Sequence, residues 1–273
     1  MKVVLFCGGL GLRMREAGER IPKPMVTLGN RPILWHVMKY YSHFGHKDFV
    51  LCLGHKADAI KRYFLEYDET ASNDFVLKPG AGEVELLASD ISDWTITFAD
   101  TGLRAVVGQR LRAVRPHLAG EQVFLANYGD TLTDADLDRM VERFLASDAV
   151  ASLLCVRPTY TFHVVQAARD GTVRSVEDVT KADLWMNGGY FIFRKSIFDY
   201  IEDGDDLVGA PFARLSSEGR LLAFFHEGFW APMDTLKDKT NLDIMIESGF
   251  APWRVWERQT QREERKTGSP RPT

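Results

Sequence analysis

Apolar and polar positions alternate along this chain with two different periods. The apolar run "VVLFC" at residues 3–7 predicts a buried strand, and the glycines of "GGLGLR" stop it. "RPILWHVMKYYSHFG" then places Ile33, Leu34, Val37, Met38 and Tyr41 on one helical face, with Pro32 near its start and Gly45 at its end. "DFVLCLG" predicts a second short strand and "ADAIKRYFLEY" a second helix. Further on, "EQVFLANYGD" reads as a strand closed by a polar turn, and "AVASLLCV" as another strand. Between them, "TDADLDRMVERFLAS" is a helix with acidic residues in its first turn. This βαβα order predicts an α/β fold with a largely parallel sheet and right-handed crossovers.

Two stretches depart from that alternation. Residues 69–102 are rich in Asp, Ser, Gly and Thr, and short runs such as "WTITFAD" predict small antiparallel strands inserted into the main sheet. Residues 158–194 look similar, with "HVVQAA", "TVRSVED" and "NGGYFIF" as candidate strands between turns. We expect one domain over 1–257, with β-rich insertions at about 69–102 and 158–186. The polar stretch "RQTQREERKTGSPRPT" at 258–273 reads as a disordered tail.

Composition changes this picture only in what it excludes. With 273 residues, 45% hydrophobic and 26% charged, the chain has the make-up of an ordinary globular protein. A net charge of −4 offers no bulk positive field for a nucleic acid, although a local pocket for a small anion is compatible with it. Cys7, Cys52 and Cys155 each fall in an apolar run, which fits buried free thiols. No CxxC or HxxxH pairing suggests zinc, and no apolar stretch approaches the roughly 20 residues of a membrane span. The expectation is a cytoplasmic protein with neither membrane nor nucleic-acid partner.

The glycine loop is the candidate chemistry. A Walker A loop needs Lys then Ser or Thr after its last glycine, and Arg13-Met14 follows here. A dinucleotide fingerprint needs a glycine where Met14 stands and a ribose-binding acid some way on; both are missing, which argues against a nicotinamide-dependent oxidoreductase. A tight turn without ligand stays open. So does a loop whose glycines let the backbone approach phosphate, with Arg13 as a planar cation and Lys23, pinned between Pro22 and Pro24, as a second. Asp130 closes a strand, where an open α/β sheet places ligand-binding residues, although turn or cap residues look the same.

The segments "GGLGLR", "PKPMVTLGNRPILWHVM", "FADTG", "YGD", "NGGYFIF" and "GFWAPMDTLKDKTNL" together resemble the sugar nucleotidyltransferase family. Their wording is most similar to its glucose-1-phosphate cytidylyltransferases, from residue 1 to about 257. The resemblance implies a Rossmann-like mixed α/β sheet, the nucleotide-diphospho-sugar transferase fold, with small antiparallel insertions. It implies attack by a sugar-1-phosphate oxygen on the α-phosphorus of a nucleoside triphosphate, CTP before dTTP, UTP or GTP, releasing pyrophosphate. Mg²⁺ would be held by Asp130 and Asp234. Arg13 and Lys23 would be catalytic, Arg13 at the leaving pyrophosphate and Lys23 at the α-phosphate. Gly8, Gly9, Gly11 and Arg110 would meet the nucleotide, and Asn187, Gly188, Asp178 and Lys181 the sugar phosphate. A homo-oligomer is implied as well, and a non-catalytic nucleotide-sugar-binding regulator on the same fold is the alternative reading.

Four positions depart from the family pattern. Leu12 stands where relatives usually have Thr, and Ile21 where the cytidylyl branch often has a lysine. Around Asp178 the family reads Glu-Lys-Pro, its lysine meeting the sugar phosphate; this chain reads "EDVTK", with Val179 in that place and Lys181 two positions later. His163 lies where a small glycine faces the sugar in relatives, and we read it as a wall residue, since an anionic phosphate oxygen needs no general base. The departures lie mostly on the acceptor side, so the expected acceptor is glucose-1-phosphate or a related sugar phosphate, with one other than plain glucose-1-phosphate the more economical inference.

Overall fold

The structure, a computed structural model, describes residues 1–9, 21–159 and 162–257. Gly11, Leu12, Arg13 and the tail at 258–273 lie outside the described residues.

Strand β1 (Val3–Phe6) is followed by helix α1 (Ile33–His43), strand β2 (Asp48–Leu53) and helix α2 (Ala57–Leu65). A hairpin of β3 (Phe75–Lys78) and β4 (Glu83–Leu86) precedes β5 (Thr95–Asp100) and helix α3 (Val107–Ala113). Then come β6 (Val123–Asn127), β7 (Thr131–Thr133), α4 (Leu137–Leu145) and β8 (Ala151–Val156). A second hairpin, β9 (His163–Ala167) with β10 (Val173–Asp178), leads into β11 (Met186–Arg194) and α5 (Ala210–Ser217). Strands β12 (Leu221–His226) and β13 (Trp230–Pro232) and helix α6 (Leu236–Glu247) complete the order.

Seven strands form the central sheet in the order β12-β8-β11-β6-β1-β2-β5. Every pairing in it is parallel except the two that β11 makes, with β6 and β8. Strict alternation on β1 divides the core: Val3 and Leu5 pack on one face, Val4 and Phe6 on the other. The first face is covered by α1, α4 and the C-terminal segment, the second by α3, α5 and the Phe198 turn. Helix α1 is buried at eight of its eleven positions, because it lies between the sheet and Trp253. Gly45 ends it at φ +82°, a conformation costly for any residue with a Cβ.

The insertions are smaller than the sequence predicts. "TITFAD" is β5, the parallel edge strand of the main sheet, in register from Asp48↔Thr95 to Leu53↔Asp100. Its alternating pattern reflects a half-buried edge rather than an antiparallel excursion. "NGGYFIF" likewise belongs to the sheet as β11. What stands outside both cores are the β3–β4 and β9–β10 hairpins, whose strands are almost wholly exposed.

Candidate active site

The carboxyl ends of β1 and β6 open into a cleft of about 480 Å³. Gly8 and Gly9 form one wall, Asp130 and Tyr128 the floor, and Asn187, Trp230 and Asp234 the far side. A short ribbon brings the two sequence-predicted carboxylates together. Strand β13 pairs with β7 from Trp230↔Thr133 to Pro232↔Thr131, and Met233 N–H donates to Asp130 O at 3.0 Å. Asp130 leaves the sheet through a turn in which Asn127 Oδ1 accepts from Gly129 N–H at 2.6 Å.

Asp234 is held from the other side by the start of α6. Thr235, not Asp234, is the N-cap: its hydroxyl accepts from Asp238 N–H at 3.2 Å, and Asp238 Oδ2 accepts from Thr235 N–H at 2.8 Å and Asp234 N–H at 3.0 Å. That reciprocal box satisfies the helix terminus without the Asp234 carboxylate, which turns instead to Lys23. The ammonium of Lys23 donates to Asp130 Oδ2 at 2.6 Å and also to Asp234 Oδ1. Lys23 opens the turn Lys23–Met25, whose backbone is fixed by Pro22 and by Met25 N–H donating to Pro22 O at 2.8 Å.

Charge in this triad is finely opposed. Burial favours the neutral form of Asp130 and raises its pKa above the ordinary carboxylate value, although Lys23 pulls the other way. Burial would lower Lys23, but the two carboxylates outweigh it and hold the ammonium above its usual value. The donor set suits a hard divalent cation: two carboxylate oxygens within reach of one Nζ, with the ammonium marking where positive charge is wanted. Among the described residues no cluster of three or more His, Cys, Asp or Glu side chains is placed to hold a metal. Two protein carboxylates could hold a divalent cation whose remaining ligands come from phosphate and water.

Arg110 lines the cleft but is committed beneath the glycines. Its guanidinium donates to Leu53 O at 3.2 Å, Thr101 Oγ1 at 2.7 Å and Gly8 O at 2.8 Å, and the side chain is buried. A Cβ on Gly8 would lie 2.1 Å from Arg110 Nη1, so a larger residue there would have to displace the guanidinium from its buried partners, whereas a Cβ on Gly9 would meet open space. Asn187 Oδ1 accepts from Gly189 N–H at 2.9 Å, and its amide donates to Tyr128 Oη at 3.3 Å. Gly188 is a packing position as well as a wall: its carbonyl accepts from the Trp230 indole at 2.8 Å.

Asp178 and Lys181 do not line the cleft. The Asp178 carboxylate accepts from Thr180 N–H at 2.9 Å and Thr180 Oγ1 at 2.8 Å, bonds that hold its pKa below the ordinary value. Lys181 is exposed, and Val179 is buried with its N–H donating to Phe162 O. Tyr128 and Asp206 line the cleft without having been expected from the sequence. Tyr128, next to the Gly-Asp of a strand end, carried a usable signal; Asp206 sits in an irregular segment and carried none.

A fold of this kind, with paired carboxylates and Gly8–Gly9 lining one cleft, invites comparison with known proteins. The nucleotidyl transferase family model matches residues 2–237, and the chain belongs to that family. It is 39% identical over 259 residues to a glucose-1-phosphate cytidylyltransferase of Salmonella typhimurium, covering 94% of this chain and 100% of that protein. A probable glucose-1-phosphate cytidylyltransferase of Bacillus subtilis is 34% identical over 258 residues, again covering 94% and 100%. Among solved structures, UTP-bound UGPase from Acinetobacter baumannii superposes with a TM-score of 0.68 at 17% identity, covering 96% of this chain and 98% of that one. HddC from Yersinia pseudotuberculosis gives 0.64 at 20% identity, covering 90% and 99%. These two show the shared fold.

Proposed function

We propose that this protein transfers the CMP group of CTP to a sugar 1-phosphate, releasing pyrophosphate. The observation that carries the reading is the Asp130–Lys23–Asp234 triad at the mouth of β6, in a cleft also lined by Gly8 and by Gly9, which has open space above it. The relatives named as cytidylyltransferases over nearly the whole chain favour CTP over dTTP, UTP or GTP.

An acceptor phosphate oxygen attacks the α-phosphorus; the new P–O bond forms as the bond to the β-phosphate oxygen breaks, and the electron pair leaves with pyrophosphate. Such a displacement needs alignment and charge neutralisation more than covalent help. Mg²⁺ held by Asp130 and Asp234 would neutralise charge on the triphosphate. Lys23 faces the α-phosphate from between those carboxylates, and Arg13 is assigned to the leaving pyrophosphate. The Gly8–Gly9 backbone lies along the phosphates, kept in place by Arg110. Asn187 orients Tyr128 across the floor of the cleft, on the side of the sugar. Three buried free cysteines fit a reducing, cytoplasmic setting, and the described residues contain no helix long and apolar enough to cross a membrane. We also propose the homo-oligomer that the sequence resemblance implies.

The test is pyrophosphate release with Mg²⁺, across the five common triphosphates and a panel of sugar 1-phosphates. Release with CTP and one acceptor is expected. Release only with another triphosphate would overturn the choice of CTP, and binding of nucleotide without release from any pair would mean either an acceptor outside the panel or a regulator that no longer turns over.

A further inference from the structure

The acceptor of this reaction is a phosphate dianion, and the described cations of the main cleft are already committed. Lys23 is clamped between two carboxylates, and Arg110 donates to two backbone carbonyls and Thr101. Beyond Trp230, Pro232 and Asp234 the space continues into a second cavity of about 500 Å³, walled by the first turns of α6. Lys237 and Asn241 line it, one helical turn apart and so on one face. Among the described residues Lys237 has no carboxylate partner, although Asp238 is next to it in the chain. Asp238 is occupied instead by the N–H groups of Asp234 and Thr235.

We infer that this second cavity is the acceptor lobe and that Lys237 holds the phosphate of the sugar 1-phosphate, with the Asn241 amide beside it. The inference rests on the nucleotidyl-transfer reading and adds to it the residue that binds the second substrate. Three features support it. The lobe and the main cleft share Asp234, so a phosphate in the lobe lies next to the carboxylates where the α-phosphorus must sit. The capping box of Thr235 and Asp238 fixes the first turn of α6, giving the flexible lysine a rigid base. A lysine ammonium is a compact, mobile point charge, suited to a tetrahedral dianion that must turn as it attacks. The turn at 178–181 supplies no competitor, because Val179 is buried and Lys181 lines neither cavity.

Steady-state kinetics of wild type, Lys237→Met, Lys237→Arg and Lys181→Met, with CTP saturating and the acceptor varied, test this. Lys237→Met is expected to raise the acceptor KM ten- to hundredfold with the CTP KM within twofold and Tm unchanged. Lys237→Arg is expected to recover most of the loss. An active wild type with an unaltered acceptor KM in Lys237→Met overturns the assignment, as does a loss carried by Lys181→Met alone. A wild type that turns over no pair of substrates overturns the reaction itself, and with it the inference, and is recognised by the silence of the unmodified protein.

Discussion

At the scale of single residues, the ammonium of Lys23 keeps two carboxylates from different ends of the chain in one place. Without it, Asp130 and Asp234 face each other with no fixed counter-charge. Lys23→Met is expected to lower kcat at least about a hundredfold, the usual loss when a fixed charge at a reacting centre is removed. In the absence of divalent ions it is expected to cost about 1–3 kcal/mol of stability, because a partly buried acid is left uncompensated. Added Mg²⁺ is expected to raise Tm further in the variant than in wild type; equal shifts by thermal melting would contradict the shared site. Lys23 stood out in the sequence by its flanking prolines, whereas Asp130, a strand-end acid that reads as readily as a turn or cap, was singled out by the resemblance. Asp234 was legible only through resemblance. As a lone acid before a helix it reads as a cap, and it is the less conspicuous Asp238 that takes the capping bonds and frees it.

At the scale of elements, Gly8, just beyond β1, is held from below by α3. Arg110 reaches through the space a Gly8 side chain would fill and ties β1, β2 and the end of β5 through Gly8, Leu53 and Thr101. Gly8→Ala is expected to destabilise by about 2–3 kcal/mol by displacing the guanidinium from buried partners. Removing Arg110 first should relieve that conflict. Urea denaturation of Gly8→Ala, Arg110→Ala and the double variant is therefore expected to show coupling of about 1–2 kcal/mol. Additive costs would mean that the two residues do not share the space. The resemblance placed Arg110 near the nucleotide; it lines the cleft, but nothing in the sequence showed that its donors would be taken by Gly8 O, Leu53 O and Thr101 Oγ1. The strands β1 and β2, buried on both faces, were read correctly, whereas the short buried strand β7 was missed beside a polar turn. At β5 the strand was recognised but assigned to a small antiparallel insertion, because an edge strand with one covered face imitates the alternation of a hairpin.

At the scale of the whole molecule, His36 in α1 joins the start of the chain to its C-terminal segment and gives stability a pH dependence. Its Nε2 lies 3.1 Å from Leu28 O and its Nδ1 accepts from the Trp253 indole at 3.5 Å, an arrangement that needs the neutral ring. Complete burial lowers its pKa from 6.5 to about 3. Above pH 6.5 neither state is protonated. Below it the unfolded chain takes up a proton that the folded protein refuses, so stability falls between pH 6.5 and about 3, by about 2 kcal/mol at pH 5 from this residue. Urea denaturation at pH 7.5 and 5.0 is expected to show a smaller acid loss in His36→Gln than in wild type; parallel losses would remove His36 from the account. The same fold carries the central claim, that a ribbon between β7 and β13 assembles a nucleotidyl-transfer centre from Asp130 and Asp234. The most direct measurement is pyrophosphate release with CTP, Mg²⁺ and the acceptor used by wild type, set beside CTP binding, in Asp130→Asn and Asp234→Asn. The account predicts that each substitution lowers kcat at least about a hundredfold while the protein stays folded and still binds CTP. Turnover within a fewfold of wild type in either variant would contradict it.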